Sequence, residues 1–205
     1  MTAPQAAGTL TLTVLRIPTG RDRNHHALHQ AVTAAADMAG AAGNRALWSA
    51  PTPGVLLVQA PRLDPARISG AAVQHTVDVA AALAELQPGT PVRIGLIANP
   101  CRTERVTPDG RLLNRSRRVP LPHADRPGWL RRQLTGALTV TDLDDRALRP
   151  VVAPRPDGRA TLARHLFTGA GTVDDPQVLA RLVRGGVGPG KAYGCGLLTV
   201  RKGRP

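Results

Sequence analysis

Hydrophobic and polar positions first alternate over residues 9–17, TLTLTVLRI, where threonines trade places with Leu and Val. That period of two predicts a half-buried strand. After the break PTG the period changes. Between Asn24 and Met38, the side chains of Leu28, Ala31, Val32, Ala35 and Met38 fall on one side of a helix, and Gly40 stops the run. RALWSA (45–50) and GVLLVQA (54–60) predict two short strands about the turn PTPG, and a weak helix is expected over Asp64–Ala72. Residues 76–86, TVDVAAALAEL, read two ways, because their start alternates like a strand while their alanines favour helix. QPGT (87–90) is a clean break and the expected boundary between a domain of residues 1–88 and one of residues 89–205.

The second half begins again with a strand, PVRIGLIANP (91–100), followed by a polar, Arg-rich stretch over 101–122 in which PDG marks a turn. RPGWLRRQL (126–134) predicts a helix started by Pro127. Strands are expected at 137–143 and 159–173, separated by a loop over RPVVAPRPDG (149–158). DDPQVLARLVRGG (174–186) predicts a helix capped by Asp174 or Asp175, with Pro176 at its start and glycine at its stop. CGLLTV closes the pattern as a strand. Each half therefore reads strand–helix–strand–strand–helix–strand. That order predicts an α+β protein of two tandem ferredoxin-like (βαββαβ) domains, antiparallel sheets with helices on one face.

Composition changes the picture in two ways. Aromatic residues are only 2% of a chain of 205 residues that is 42% hydrophobic, so the core must be built from Val, Leu, Ile and Ala. Charge is lopsided: 27 Lys and Arg against 14 Asp and Glu give a formal +13. Residues 1–101 hold seven basic and five acidic groups, and residues 102–205 hold twenty and nine. Such a field attracts polyanions, since neutralising phosphates releases condensed counterions. Twenty-five of the cations are Arg, whose planar fork suits phosphate oxygens better than an ammonium does. A membrane surface is disfavoured as the partner, because no basic amphipathic helix and no apolar stretch near 20 residues occurs. MTAPQAAGTL carries no charged-then-apolar signal, which gives a cytoplasmic expectation. Cys101 and Cys195 form no CxxC or zinc spacing and read as two small apolar or weakly polar side chains.

Two stretches carry candidate chemistry. GRDRNHHALHQAV (20–32) places three histidines at a helix start, with His25 and His26 each on a shared face with His29. They can be solvated surface groups, part of a metal site that still lacks a third ligand, or acid–base catalysts near neutral pH. GGVGPGKAYGCG (185–196) gathers six glycines around Lys191. It is no nucleotide P-loop, since Ala192 follows the lysine and the segment runs from a helix into a strand. It is either a flexible surface loop or a backbone that lies against nucleic-acid phosphates through Gly186, Gly188 and Gly190, with Lys191 as a point charge.

At LVRGGVGPGKAYGCGLLTV (182–200) the chain resembles the repeat-associated mysterious proteins, and more narrowly the CasE family, the CRISPR repeat-processing endoribonucleases of the type I-E Cascade complex. NHHALH, RALW, VLLVQA, IANP, RVPLP and WLRRQL agree with that family in order and position. The resemblance implies a metal-independent endoribonuclease without cofactors that cuts CRISPR precursor RNA at the 3′ base of the repeat hairpin by 2′-OH attack. It further implies that the protein stays on the mature crRNA and joins other Cascade subunits, and that residues 76–86 form the final strand of the first domain. His29 matches the family's catalytic histidine, and His26 stands where some members have Tyr. Ala34 replaces a Lys found in some members. Position and charge, apart from the resemblance, mark Arg115, Arg117 and Arg118 before a strand and Arg155, Arg159 and Arg164 about a loop and strand as either RNA-binding residues or plain solvated surface, beside the glycine loop and Lys191. The missing Tyr and Lys counterparts leave open a non-catalytic subunit of the same fold that binds the RNA hairpin.

Overall fold

The computed structural model describes residues 10–21, 24–38, 45–106, 109–155 and 158–203. Strand β1 (Thr11–Arg16) leads into helix α1 (His25–Ala35) and the two-residue strand β2 (Ala36–Asp37), then β3 (Leu47–Ser49) and β4 (Val55–Ala60). β5 (Arg62–Leu63) pairs with β2, and β6 (Ala72–Asp78) completes the first sheet before helix α2 (Val79–Ala84). The second half runs β7 (Pro91–Ala98), β8 (Cys101–Val106), β9 (Leu112–Pro120), helix α3 (Arg126–Leu134), β10 (Leu138–Arg155), β11 (Gly158–Val173), helix α4 (Pro176–Gly185) and β12 (Leu198–Lys202).

The two four-stranded sheets have the orders β3-β4-β1-β6 and β10-β11-β7-β12, antiparallel throughout. Each places the second, third, first and fourth strand of its half side by side, which is the ferredoxin-like arrangement. The same alternation that marked β1 explains its place: Thr13 and Leu15 are buried at the centre of the first sheet while Arg16 is exposed. Helix α3 keeps the bounds expected of it and buries Trp129, Leu130 and Leu134. In α4 the Asp175 carboxylate accepts from the amides of Gln177 at 2.7 Å and Val178 at 3.2 Å, which selects Asp175 over Asp174 as the cap.

Three expectations need correction. The helix expected over Asp64–Ala72 is a single 3-10 turn, Pro65–Arg67, capped by Asp64. Gly70 (φ +73) packs against Pro18, and the chain turns there instead of continuing a helix. Residues 76–86, which the family resemblance assigned to a strand, divide at Asp78. The strand ends there, and the Asp78 side chain accepts from Ala81 N at 2.9 Å to start α2. From Val79 onward the alanines' helical propensity prevails. Last, of the loop expected over 149–158, residues 149–155 and 158 belong to the outer part of a long ribbon, β10 with β11, and 156–157 lie outside the described residues. The prolines misled, since β10 is an edge strand and Pro150 lies within a register shift between Leu148 and Val151.

One core cluster joins α3, α4, β7 and Phe167 to Leu10, Val79, Leu83 and Leu86, so α2 packs with the second sheet. A second core lies under α1 and contains Leu28, Val32, Trp48, Leu56 and Val58. Gln59 Nε2 donates to Val183 O at 2.8 Å, a buried bond between β4 and α4. No helix among the described residues is long and apolar enough to cross a membrane.

Candidate active site

Helix α1 starts at Asn24, whose side chain accepts from Ala27 N at 3.0 Å. Leu28 and Val32 face the core, so the neighbouring positions His26 and His29 are turned outward, His26 exposed and His29 half-buried. Burial, the charge of Arg45 and that of His26 together hold His29 below the usual imidazole value of 6.5. Its ring is therefore predominantly neutral at pH 7 and can accept a proton.

Against this helix lies the glycine-rich segment, which forms a 3-10 turn at Lys191–Tyr193 between Gly190 and Gly194. Lys191 Nζ donates to Gly188 O at 2.9 Å. Burial first and Arg45 second lower its pKa, which makes the ammonium a more acidic group than a surface lysine. Arg45 thus sits close enough for its charge to act on both His29 and Lys191.

Arg45 and Lys191 also line a cleft of about 480 Å³ with Arg118, Gln133, Trp129 and the backbone of Gly188–Gly190. Cys101 and Thr103 complete its wall from β8. Three cations and no carboxylate line this cleft among the described residues. Such a lining suits a phosphodiester, whose developing negative charge fixed donors stabilise best away from bulk water.

The glycines have a reason internal to the protein. A Cβ on Gly188 (φ +71) would stand 3.0 Å from the Trp129 ring. Gly186 is hemmed in by Gly196 O, Lys191 Cε and Leu47 and does not line the cleft, whereas Gly188 and Gly190 do. Their identity is set first by folding the loop onto Trp129 and Leu47.

The arginines separate. Arg118 faces the cleft. Arg117 is exposed on β9 and paired with Glu104 at 3.2 Å, as is Arg102 at 2.8 Å, and these bonds hold the Glu104 carboxyl below its usual range. The side chains of Arg115, Arg155 and Arg159 lie outside the described residues. Arg164, expected on an RNA surface, must be corrected: it is 5% exposed and donates from Nη1 to His25 Nε2 at 2.8 Å. Period-two alternation puts it on the same strand face as Leu162 and Leu166, a signal in the sequence that the Arg-rich context obscured. Arg45 and Gln133 were not singled out from sequence. Each belongs to a stretch whose periodicity marks only a strand or a helix, and their convergence needs the fold.

Comparison with known proteins places this arrangement. The pattern of the family described as CRISPR associated protein matches residues 9–202. The Cascade subunit CasE of Escherichia coli K12 is 34% identical over 122 residues, covering 57% of this chain and 60% of that protein's length. Among solved structures, Cas6e from E. coli K-12 superposes with a TM-score of 0.71 at 27% identity, covering 94% of this chain and 99% of its own. Thermus thermophilus Cse3, bound to an RNA representing a pre-cleavage complex, gives 0.71 at 28% identity over 94% and 98%. A CRISPR endoribonuclease Cse3 bound to a 19-nucleotide RNA gives 0.71 at 31% over 94% and 99%. With the family pattern running from one sheet through the other, this chain belongs to the CRISPR-associated proteins as a member of the CasE family.

Proposed function

We propose that this protein is an endoribonuclease that cleaves CRISPR precursor RNA at the 3′ base of the repeat hairpin and remains on the crRNA as a Cascade subunit. The observation that carries this reading is that Arg45, whose charge helps hold the half-buried His29 below 6.5, also lines a cleft with Arg118 and Lys191. The RNA-bound Cse3 structures and the Cascade subunit CasE support the substrate class and the partner.

The chemistry follows from the groups present. His29 takes the proton from a ribose 2′-OH, and the oxygen attacks the adjacent phosphorus. The bond to the 5′ oxygen breaks, leaving a 2′,3′-cyclic phosphate and a 5′-OH. Lys191, Arg45 and Arg118 stabilise the dianionic phosphorane between these states. His26, three residues before His29, assists proton transfer to the leaving oxygen in place of the Tyr found in some members of the family. Recognition of the A-form stem rests on phosphates and shape, which suits the Arg-rich second half.

The direct test is incubation of the protein with the repeat RNA in excess EDTA. Cleavage is expected to persist, and a single 2′-deoxy residue at the cut site is expected to abolish it while the hairpin still binds. Loss of activity on chelation, or cutting of the deoxy substrate, would overturn the mechanism. Binding without cleavage under either condition would favour the hairpin-binding subunit instead.

The pH profile of single-turnover cleavage gives a second expected result. A base whose folded pKa lies below 6.5 is deprotonated above that value, so the rising limb of the rate should be complete near or below pH 6.5. Arg45 is one of the charges lowering His29, so Arg45→Ala raises that pKa and moves the rising limb to higher pH. A limb that stays in place would exclude the Arg45–His29 interaction.

A further inference from the structure

Beside the proposed site lies a buried constellation that the cleavage chemistry does not use. His25 opens α1 and is 6% exposed, with its ring tilted against Trp48 at a centroid separation of 5.5 Å. Its Nδ1 donates to Tyr193 O at 3.0 Å, while its Nε2 accepts from Arg164 Nη1 at 2.8 Å. A carbonyl can only accept and a guanidinium can only donate, so the two partners together select the neutral Nδ1–H tautomer. The charge of Arg164 also acts on the buried thiol of Cys195, which burial pushes up to about 11 and thus keeps uncharged.

The position of these bonds gives them a role. His29 lies one helical turn beyond His25 on the same face of α1. Lys191 opens the 3-10 turn whose last residue, Tyr193, receives the His25 bond. His29 thus belongs to the half of the chain that builds the first sheet, and Lys191 to the half that builds the second. Arg164 on β11 and His25 on α1 bridge the two halves next to both groups.

We propose that Arg164 and His25 are positioning residues, a pin that holds the first turn of α1 against the Lys191 turn and so sets the distance from His29 to the phosphate-binding cations. The proposal rests on the reading of His29 and Lys191 given above. Neither pin residue touches RNA. Arg164 has its guanidinium turned inward, and its charge serves to fix the tautomer and orientation of His25. A displacement of about 1 Å between reacting groups costs about 100-fold in rate, so the pin acts on cleavage and leaves RNA capture unaffected.

The test compares wild type, Arg164→Met, Arg164→Lys, His25→Leu and the His25→Leu/Arg164→Met pair. Single-turnover cleavage of the repeat hairpin is measured beside its affinity over a series of salt concentrations. Arg164→Met is expected to slow cleavage by about 10- to 100-fold with the slope of log affinity against log salt unchanged. Arg164→Lys, which keeps the charge and one donor, should restore part of the rate. The double variant should be no slower than the slower single one, because the two residues act as a unit. A slope reduced by about 1 would mean that Arg164 neutralises a phosphate, and would overturn the proposal. So would a wild-type cleavage rate in Arg164→Lys and His25→Leu.

A readout independent of activity separates this proposal from the one beneath it. Imidazole ¹⁵N shifts of the free protein should report His25 as the Nδ1–H tautomer, lost in Arg164→Met, and an Nε2–H signal in wild type would overturn the pin. Should wild type fail to cleave while the tautomer is as drawn, the functional reading falls and the pin stands as a structural bridge. Should wild type cleave and the variants keep pace with it, the pin alone falls.

Discussion

Replacing His29 by Ala should slow single-turnover cleavage of the repeat RNA by about 10²- to 10⁴-fold, the range a positioned general base supplies. Affinity for the hairpin should stay as it is, because the cleft keeps Arg45, Arg118 and Lys191. The fold should also tolerate the change. His29 is only half-buried, and the helix is anchored by Leu28, Val32 and Ala35 on its other side. Alanine is moreover the best helix former at an interior position. Rapid-quench assays at saturating protein, run beside a filter-binding titration, separate the two quantities. An undiminished rate would remove His29 from the mechanism, and a parallel loss of affinity would reassign it to binding.

The second large effect concerns stability. Gly194→Ala places a methyl group 2.7 Å from Trp48 Cζ3 at a residue whose φ is +73. The left-handed backbone costs about 1–2 kcal/mol for a residue with a Cβ. Driving that methyl into the indole ring adds about 1–3 kcal/mol of overpacking, because Trp48 is fully buried and has nowhere to move. The sum, about 2–5 kcal/mol, is a large share of the roughly 5–15 kcal/mol that holds a domain folded. Gly136→Ala is the control. Its φ is +77 but no atom lies within 4 Å of the added Cβ, so only the backbone cost applies. Urea unfolding of both variants should show Gly194→Ala clearly the weaker; equal midpoints would mean that Trp48 does not hold the loop.

Much of the fold could be read from local chemistry. Helix α3 was marked by Pro127 and its Trp129–Leu130–Leu134 stripe, and α4 by Asp175, Pro176 and the terminal glycine, so both stand where expected. The two-sheet order followed from strand and helix signals alone. What failed were places where context outweighs composition. Pro150 and Pro154 read as loop breakers, yet an edge strand with a register shift accommodates both. Over residues 76–86 the family resemblance favours strand, whereas Asp78 and the alanines mark a helix start.

The site was legible in part. A helix start, an Arg-rich stretch and a glycine loop point to His29, Arg118 and Lys191 as candidates. Arg45, which acts on both His29 and Lys191, carried no local mark, and a cleft made by segments near residues 45, 118, 133 and 190 exists only after folding. Arg164 reads as surface by charge alone, whereas the face of the strand it occupies is buried.

The second sheet has a consequence for the order in which the protein comes together. Its inner strand β7 is flanked by β11 and β12, and the β12 contact joins residues as far apart as Gly95 and Thr199, 104 positions along the chain. The β10–β11 ribbon is local and can zip early, whereas β7 keeps one open edge until the chain has been made as far as β12. The Lys191 turn sits just ahead of that closing strand. During synthesis, then, the Lys191 wall of the cleft is the last part to be put in place, and a nascent chain with His29 already folded on α1 lacks a complete phosphate site until the sheet is sealed.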